Sequence, residues 1–229
     1  MTLDAREVSL SYGDGDQITY AVRNVTASFP DRGFFGIMGP SGSGKSSLLY
    51  LLSGLKRPSE GEVLYQSRPL SAGPEAERTQ LRRKRFGFVF QQPYLLNYLT
   101  ARENILAAAL PTDRAAESHV DHLMETLSVA HLANRYPAHL SGGERQRLIV
   151  ARSMMNRPSV IFADEPTAAL DHTNGHAVVE MLASYRHEGA VIVVTHDPVV
   201  LESADRVLHL FDGRLNHIEE RTAQPFRAE

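Results

Sequence analysis

The chain has 229 residues, of which 42% are hydrophobic and 22% charged, a composition typical of a globular protein with one sizeable domain. Its 24 basic and 27 acidic residues leave a formal charge of −3, which argues against nucleic acid as a partner. Cysteine is absent, which excludes disulfides, thiolate nucleophiles and cysteine metal sites. Neither a secretory signal nor an apolar run of the ~20 residues that a membrane helix needs is visible. Composition therefore predicts a cytoplasmic protein that does not itself cross a membrane.

The predicted elements alternate between strands and helices. Apolar and polar positions alternate on both sides of Gly13-Asp14-Gly15-Asp16, which predicts an antiparallel hairpin over the first thirty residues. The later elements are predicted from short apolar runs and from helical periodicity. Strands are expected at 34–38, 86–90, 160–163, 191–195 and 207–211, and helices at 47–55, 74–85 and within 95–155. The connections between the last three strands are helical or polar. This alternation favours an α/β fold with a buried, mainly parallel sheet.

The loop after the first of these apolar strands fits the pattern G-x-x-x-x-G-K-[ST], in the strand–loop–helix context that this pattern requires. Glycines allow backbone N–H groups to curl around phosphate oxygens, and the helix N-terminus adds positive charge. We expect Lys45 to reach the β- and γ-phosphates and the Ser46 hydroxyl to coordinate Mg²⁺. A chance Gly/Ser loop is the alternative, and the context disfavours it. The predicted ATP-binding residues are Gly39, Pro40, Ser41, Gly42, Ser43, Gly44, Lys45, Ser46 and Ser47.

Two acidic residues follow the apolar strand at 160–163. Ligands of open α/β sheets bind at the carboxyl ends of the strands, so both carboxylates are predicted to face the nucleotide. Asp164 suits a Mg²⁺ position, and Glu165 is placed to polarise the attacking water. Two solvated acids that cap the next helix are the alternative, which the nearby phosphate loop disfavours.

A second glycine-rich helix start, LSGGERQR, spans residues 140–147. Ser141 is a good N-cap, and Gly142 and Gly143 expose backbone N–H groups at a positive helix end. From helix physics alone, a second anion site and a simple well-capped helix are equally compatible with this segment.

The LSGGERQR segment resembles the signature of ATP-binding-cassette (ABC) ATPases, and further motifs follow in that family's order over residues 2–215. Gln91 resembles the Q-loop glutamine, residues 168–171 the D-loop, and His196 the switch histidine. Tyr12 resembles the A-loop aromatic that stacks on adenine, with Tyr20 as a nearby competitor.

The resemblance implies a P-loop NTPase-type fold, with a mainly parallel sheet, an N-terminal antiparallel β-subdomain and an inserted helical subdomain. It implies one ABC ATPase domain over 1–229. The RecA-like core and β-subdomain would occupy about 1–91 and 159–229, and the helical subdomain about 92–158.

The resemblance also implies that ATP and Mg²⁺ lie between two copies of the chain arranged head to tail. Gln91 would contact Mg²⁺ or the attacking water, and His196 would hold the γ-phosphate and orient Glu165. The residues expected to contact the ATP of the partner copy come from the signature and the D-loop: Ser141, Gly142, Gly143, Glu144 and Asp171.

As a member of this family, the chain would hydrolyse ATP for a membrane permease that docks near Gln91, Tyr94 and Leu96, on the inner face of the cell membrane. Residues 87–92 and 99–104 resemble the macrolide-exporter and lipoprotein-releasing subgroup, which implies export or extraction from the membrane. Ser47 and Ala168-Ala169 depart mildly from the subgroup pattern. A regulatory ATPase similar to the cell-division cassette, which drives a membrane partner without transport, is the alternative.

Overall fold

A computed structural model describes residues 3–14 and 17–221, and their strands form two sheets. The strands are β1 (Leu3–Asp14), β2 (Gln17–Phe29), β3 (Gly33–Met38), β4 (Glu60–Tyr65), β5 (Arg68–Pro69), β6 (Phe86–Val89), β7 (Val160–Asp164), β8 (Ala190–Thr195), β9 (Arg206–Phe211) and β10 (Arg214–Glu220). The helices are α1 (Lys45–Leu52), α2 (Glu75–Arg85), α3 (Ala101–Leu106), α4 (Ala116–Thr126), α5 (Gly142–Met154) and α6 (His172–Ser184).

One sheet is antiparallel and the other is mainly parallel. The antiparallel sheet has the order β2-β1-β4-β5, and its first two strands form the predicted hairpin. Two residues of the predicted turn, Gly15 and Asp16, lie outside the described residues. The second sheet has the order β10-β9-β3-β8-β7-β6, in which only β10 runs against its neighbour. The predicted α/β fold is therefore confirmed.

The central strands of the mixed sheet are buried on both faces. Every residue of β7 and β8 is buried, as their continuous apolar sequences predict for parallel strands covered by helices. Along β8, Val191 and Val193 join one apolar cluster, which also contains residues of α3 to α6. Ile192 and Val194 join the other cluster, together with α1 and the antiparallel sheet. The sheet thus divides the core into two layers.

The loop that precedes α3 is fixed by a buried amide. The Asn104 side chain donates to the carbonyls of Leu96, Leu99 and Thr100, and its oxygen accepts from the Leu96 N–H at 2.7 Å. Thr100 and Glu103 close a capping box at the start of α3. These bonds give residues 96–100 a defined shape although several of their side chains are exposed.

Three strands and two helix starts differ from the sequence predictions. The sequence does not predict β4, β5 and β10, because these strands are short or polar. They lie at or near sheet edges, where many of their residues are exposed to solvent. The helix predicted at 47–55 begins at Lys45 and ends at Leu52. The helix that the LSGGERQR segment predicts from Glu144 to about Met155 begins at Gly142, directly after its N-cap Ser141. In both, residues assigned to a glycine-rich loop form the first helical turn. No helix among residues 3–14 and 17–221 is long and apolar enough to span a bilayer.

Gly87 brings α5 against β6, and its substitution tests this packing. A Cβ at Gly87 would lie 2.4 Å from the Ser153 carbonyl oxygen in the backbone of α5. We expect Gly87→Ala to lower the free energy of unfolding by about 1–3 kcal/mol, since neither backbone can yield freely. Urea-induced unfolding measures the change.

Gly175 in α6 supplies the matched control. A Cβ there would meet the Thr167 side chain at an ordinary 3.6 Å, so Gly175→Ala gains up to ~1 kcal/mol of helix propensity. Equal unfolding midpoints for the two variants would contradict the close packing of β6 on α5.

Candidate active site

The glycine-rich loop ends at a helix N-terminus that is open to ligands. Gly42 and Gly44 have φ of 79° and 92°, in the left-handed region that glycine adopts without strain. Gly44 is the N-cap of α1. Because glycine has no side chain, the N-cap residue gives this terminus no side-chain hydrogen bond. The first-turn N–H groups and the positive end of the helix dipole are therefore available to an anion.

Lys45 is held inside this loop. Its ammonium donates to the carbonyl of Gly39 at 2.8 Å and to that of Pro40 at 2.9 Å, and the residue is buried. The Gly213 N–H donates to the Ser43 carbonyl, which ties the loop to the turn between β9 and β10. The loop thus carries one buried positive charge in the place where phosphate groups would lie.

A cleft of about 640 Å³ brings together residues from distant parts of the chain, and this volume suits a small-molecule ligand. Its walls lie at the carboxyl ends of β3, β6, β7 and β8, where open α/β sheets bind ligands. The residues that line it are Ala21, Pro40, Ser41, Gly42, Gly44, Lys45, Ser46, Ser47, Gln91, Glu165, Ala168 and His196.

The Asp164 carboxylate lies next to this cleft and accepts two hydroxyl hydrogen bonds. Ser46 Oγ donates to Oδ1 at 2.8 Å, and the Tyr50 hydroxyl donates to Oδ2 at 3.0 Å. Asp164 is buried, and these oxygens beside the phosphate loop are the hard ligands that Mg²⁺ prefers. Ser46 and Asp164 therefore fit a Mg²⁺ site.

Sequence reasoning missed Tyr50, although its position four residues after Ser46 puts both side chains on one helix face. Burial and the negative charge of Asp164 raise the pKa of Tyr50 to about 12. The phenol is therefore a hydrogen-bond donor at neutral pH.

Glu165 and His196 form the other polar pair of the cleft. The Glu165 backbone has a φ of 45°, unusual for a residue with a side chain, and such strain costs on the order of 1–3 kcal/mol. His196 Nδ1 lies 3.0 and 3.1 Å from the two carboxylate oxygens, and the Thr195 hydroxyl donates to Oε2 at 3.3 Å. The strained turn thus presents the carboxylate to the imidazole.

The predicted signature residues form a separate group that includes the start of α6. Ser141 and Glu144 close a capping box, and the hydrogen bond from the Ser141 backbone lowers the pKa of Glu144. Asp171 caps α6 by accepting from the Asn174 N–H at 2.9 Å, which lowers the pKa of Asp171. A Cβ at Gly143 would meet the Asn174 side chain at 2.3 Å. None of the signature residues, nor Asp171, lines the cleft.

The two tyrosines considered as adenine platforms also lie outside the residues that line the cleft. Tyr12 is half exposed, its hydroxyl accepts from the Lys56 ammonium, and that nitrogen lies 4.8 Å from the ring centroid. The Tyr20 ring carries the Arg23 guanidinium at 5.0 Å. A cation therefore lies within about 5 Å of each ring centroid, and at Tyr12 it sits at the hydroxyl end of the ring.

Arg152 is a second residue that sequence reasoning missed. From α5 it donates to the carbonyls of Tyr94 at 2.8 Å and Pro93 at 3.2 Å, and burial lowers the pKa of its guanidinium. It thereby ties the helix that starts with the signature to the segment that follows Gln91. Tyr94 and Leu96 in that segment are exposed.

The bonds from Arg152 can be tested by Arg152→Lys. An ammonium cannot reproduce the two directed guanidinium bonds to Pro93 and Tyr94, and a charged hydrogen bond contributes about 1.5–3 kcal/mol. We expect amide hydrogen exchange in residues 91–99 to accelerate about tenfold or more.

Arg102→Lys is the control for the loss of a guanidinium. Arg102 pairs with Asp121 at 2.7 Å and with Glu117 at 2.6 Å, and both carboxylates are exposed. That variant is expected to leave exchange in 91–99 unchanged, and equal acceleration in both variants would contradict the proposed role of Arg152.

Comparison with known proteins identifies the relatives of this chain. The family described as ABC transporter matches residues 22–168. An uncharacterised ABC transporter ATP-binding protein of Methanocaldococcus jannaschii is 39% identical over 220 residues, which cover 94% of this chain and 98% of that protein. The lipoprotein-releasing system ATP-binding protein LolD of Shewanella sp. strain MR-4 is 38% identical, with 95% and 96% of the two chains covered.

Two further relatives add a longer protein and a solved structure. The macrolide export ATP-binding/permease protein MacB of Marinobacter nauticus is 38% identical over 93% of this chain, which spans 34% of that protein. The dimeric ATP-binding cassette MJ0796, solved with ADP and Pi after hydrolysis, superposes with a TM-score of 0.86 at 34% identity. It covers 95% of this chain and 98% of the solved one.

Proposed function

Because the chain belongs to the ABC transporter family, as an ATP-binding subunit with ATPase activity, we propose that it powers export or extraction of a membrane substrate through a separate permease. The observation that carries this proposal is the cleft that unites Lys45 and Ser46 with Gln91, Glu165 and His196. The relatives LolD and MacB, named for lipoprotein release and macrolide export, support the direction.

The phosphate loop binds the nucleotide in this proposal. The first-turn N–H groups of α1 and the Lys45 ammonium bind the β- and γ-phosphate oxygens, in place of the carbonyls that Lys45 contacts. Ser46, Asp164 and Gln91 would hold Mg²⁺, which neutralises phosphate charge when bound. Tyr12 stacks on adenine in the same scheme.

Glu165 acts as the general base. Its carboxylate accepts a proton from the attacking water, while the His196 imidazole, 3.0 Å from Oε1, fixes the carboxylate and extends towards the γ-phosphate. Thr195 Oγ1 donates to the other carboxylate oxygen and so limits its rotation. Gln91, which also lines the cleft, positions the water.

Replacement of the base tests this assignment. Glu165→Gln keeps the size of the side chain and removes its basicity, so ATP hydrolysis is expected to fall by about 10²–10⁴-fold. ATP binding and an ATP-stabilised dimer are expected to remain. Phosphate release and size-exclusion chromatography with ATP measure both properties. Glu202→Gln, at an exposed carboxylate, serves as the control, and full turnover in Glu165→Gln would exclude Glu165 as the base.

The proposal includes a head-to-tail dimer with ATP at the interface. Ser141, Gly142, Gly143, Glu144 and Asp171 contact the partner's ATP, which accounts for a second anion-binding helix start that lies apart from the chain's own cleft. The dimeric form of the solved relatives supports this arrangement.

Mixing two inactive variants distinguishes a shared site from a site within one chain. Ser141→Arg blocks the signature, and Lys45→Ala disables the phosphate loop. In a shared arrangement, each heterodimer retains one competent site, built from the intact loop of one copy and the intact signature of the other. ATPase activity of the mixture is therefore expected to exceed that of either variant alone. Activity no higher than in the separate variants would contradict the shared site.

The permease is proposed to dock near Gln91, Tyr94 and Leu96, on the cytoplasmic side of the cell membrane. The exposed side chains of Tyr94 and Leu96 lie on a segment held by Arg152 and Asn104. A displacement of this segment is therefore transmitted to α5 through the hydrogen bond of Arg152. We also propose that residues 92–158 act as the helical subdomain. Identification of the membrane protein that co-purifies in detergent decides between a transporter and a regulatory partner without a transport path.

A further inference from the structure

The carboxylate of Asp164 is held by two hydroxyl groups that come from the same helix. Ser46 and Tyr50 are four residues apart in α1, so their side chains lie on one face of the helix. Ser46 Oγ bonds to Oδ1 and the Tyr50 hydroxyl to Oδ2, at 2.8 and 3.0 Å. Each carboxylate oxygen therefore has its own donor, and the carboxylate plane is defined from both ends.

The two donors differ in whether they would also contact the metal. Ser46 is also proposed to coordinate Mg²⁺ through a lone pair of its oxygen, so this one hydroxyl would serve both the metal and Asp164. The Tyr50 phenol has no such second role, and its rigid ring leaves the hydroxyl few alternative positions. Asp164 is only 7% exposed, so water cannot freely replace a lost donor. The Tyr50 hydroxyl can therefore keep its hydrogen bond to Oδ2 both in the empty site and in the filled one.

We propose that Tyr50 is a positioning residue for the metal site: its hydroxyl fixes the Asp164 carboxylate in the orientation that binds Mg²⁺ beside the phosphate loop. This inference rests on the proposed function. Hydrogen bonds behind a metal ligand fix its orientation, and their loss typically weakens metal affinity by about 10–100-fold.

Tyr50→Phe removes the hydroxyl and keeps the ring, so it isolates the hydrogen bond. The affinity for a non-hydrolysable ATP analogue is measured by fluorescence, once in excess Mg²⁺ and once in EDTA. The ratio of the two affinities reports how strongly Mg²⁺ and nucleotide support each other. We expect this ratio to fall about tenfold in Tyr50→Phe, with the affinity in EDTA unchanged.

Tyr185→Phe is the matched control. Tyr185 is buried, and its hydroxyl donates to the Pro158 carbonyl at 2.8 Å, beyond the opposite end of β7 from Asp164. This variant loses a comparable phenol hydrogen bond, and its Mg²⁺ ratio is expected to match that of the wild type. Thermal unfolding of both variants shows whether the two lost hydrogen bonds destabilise the protein by similar amounts.

Three outcomes would overturn the proposal. The first is a Mg²⁺ ratio in Tyr50→Phe within twofold of the wild type. The second is a fall in the EDTA affinity as large as the fall in excess Mg²⁺, which indicates a distorted phosphate loop. The third is a loss of folding that Tyr185→Phe does not share. A wild-type chain that binds no ATP analogue would instead contradict the proposed function. The two failures are therefore distinguishable.

Discussion

The arrangement of the site depends on the pairing of two fully buried parallel strands, β7 and β8. Their register places Asp164 opposite Val194, and the Glu165 N–H continues the pairing by donating to the Val194 carbonyl at 2.8 Å. Both strands therefore end at the same edge of the sheet, and the side chains that follow them meet. A shift by one residue would draw Asp164 into the fully buried, apolar position of Ala163, where an unpaired carboxylate is strongly disfavoured. The core thus fixes the distance between Glu165 and His196.

The same buried edge also holds a charge that needs partners. Asp164 belongs to a strand whose other residues are apolar, and its burial would destabilise the protein without donors. Both donors come from α1, the helix that begins with the phosphate loop. The hydrogen bonds that compensate the buried charge therefore also fix the loop relative to the sheet. Stability and ligand binding depend on the same contacts here.

The sequence predicts those parts of the site that follow from local patterns. The phosphate loop, the acids after β7 and His196 each follow an apolar strand, and parallel strands necessarily bring such residues to one edge. Tyr50 and Arg152 were missed because their partners are a distant carboxylate and two backbone carbonyls, which no local pattern shows. The left-handed φ of Glu165 is likewise a product of tertiary structure. In the fold, the edge strand β10 was missed because its side chains are mostly exposed and polar.

A single chain carries two groups of predicted site residues that do not share a cleft. The phosphate loop, Glu165 and His196 form one, whereas the signature and the D-loop meet at Asn174 to form the other. In the proposed head-to-tail dimer these groups would come from different copies, so nucleotide binding and association would strengthen each other by linkage. The helix α5 starts at the signature and reaches the segment after Gln91 through Arg152. In the proposed complex, a permease on that segment would be connected to the signature through α5 and to the cleft through Gln91.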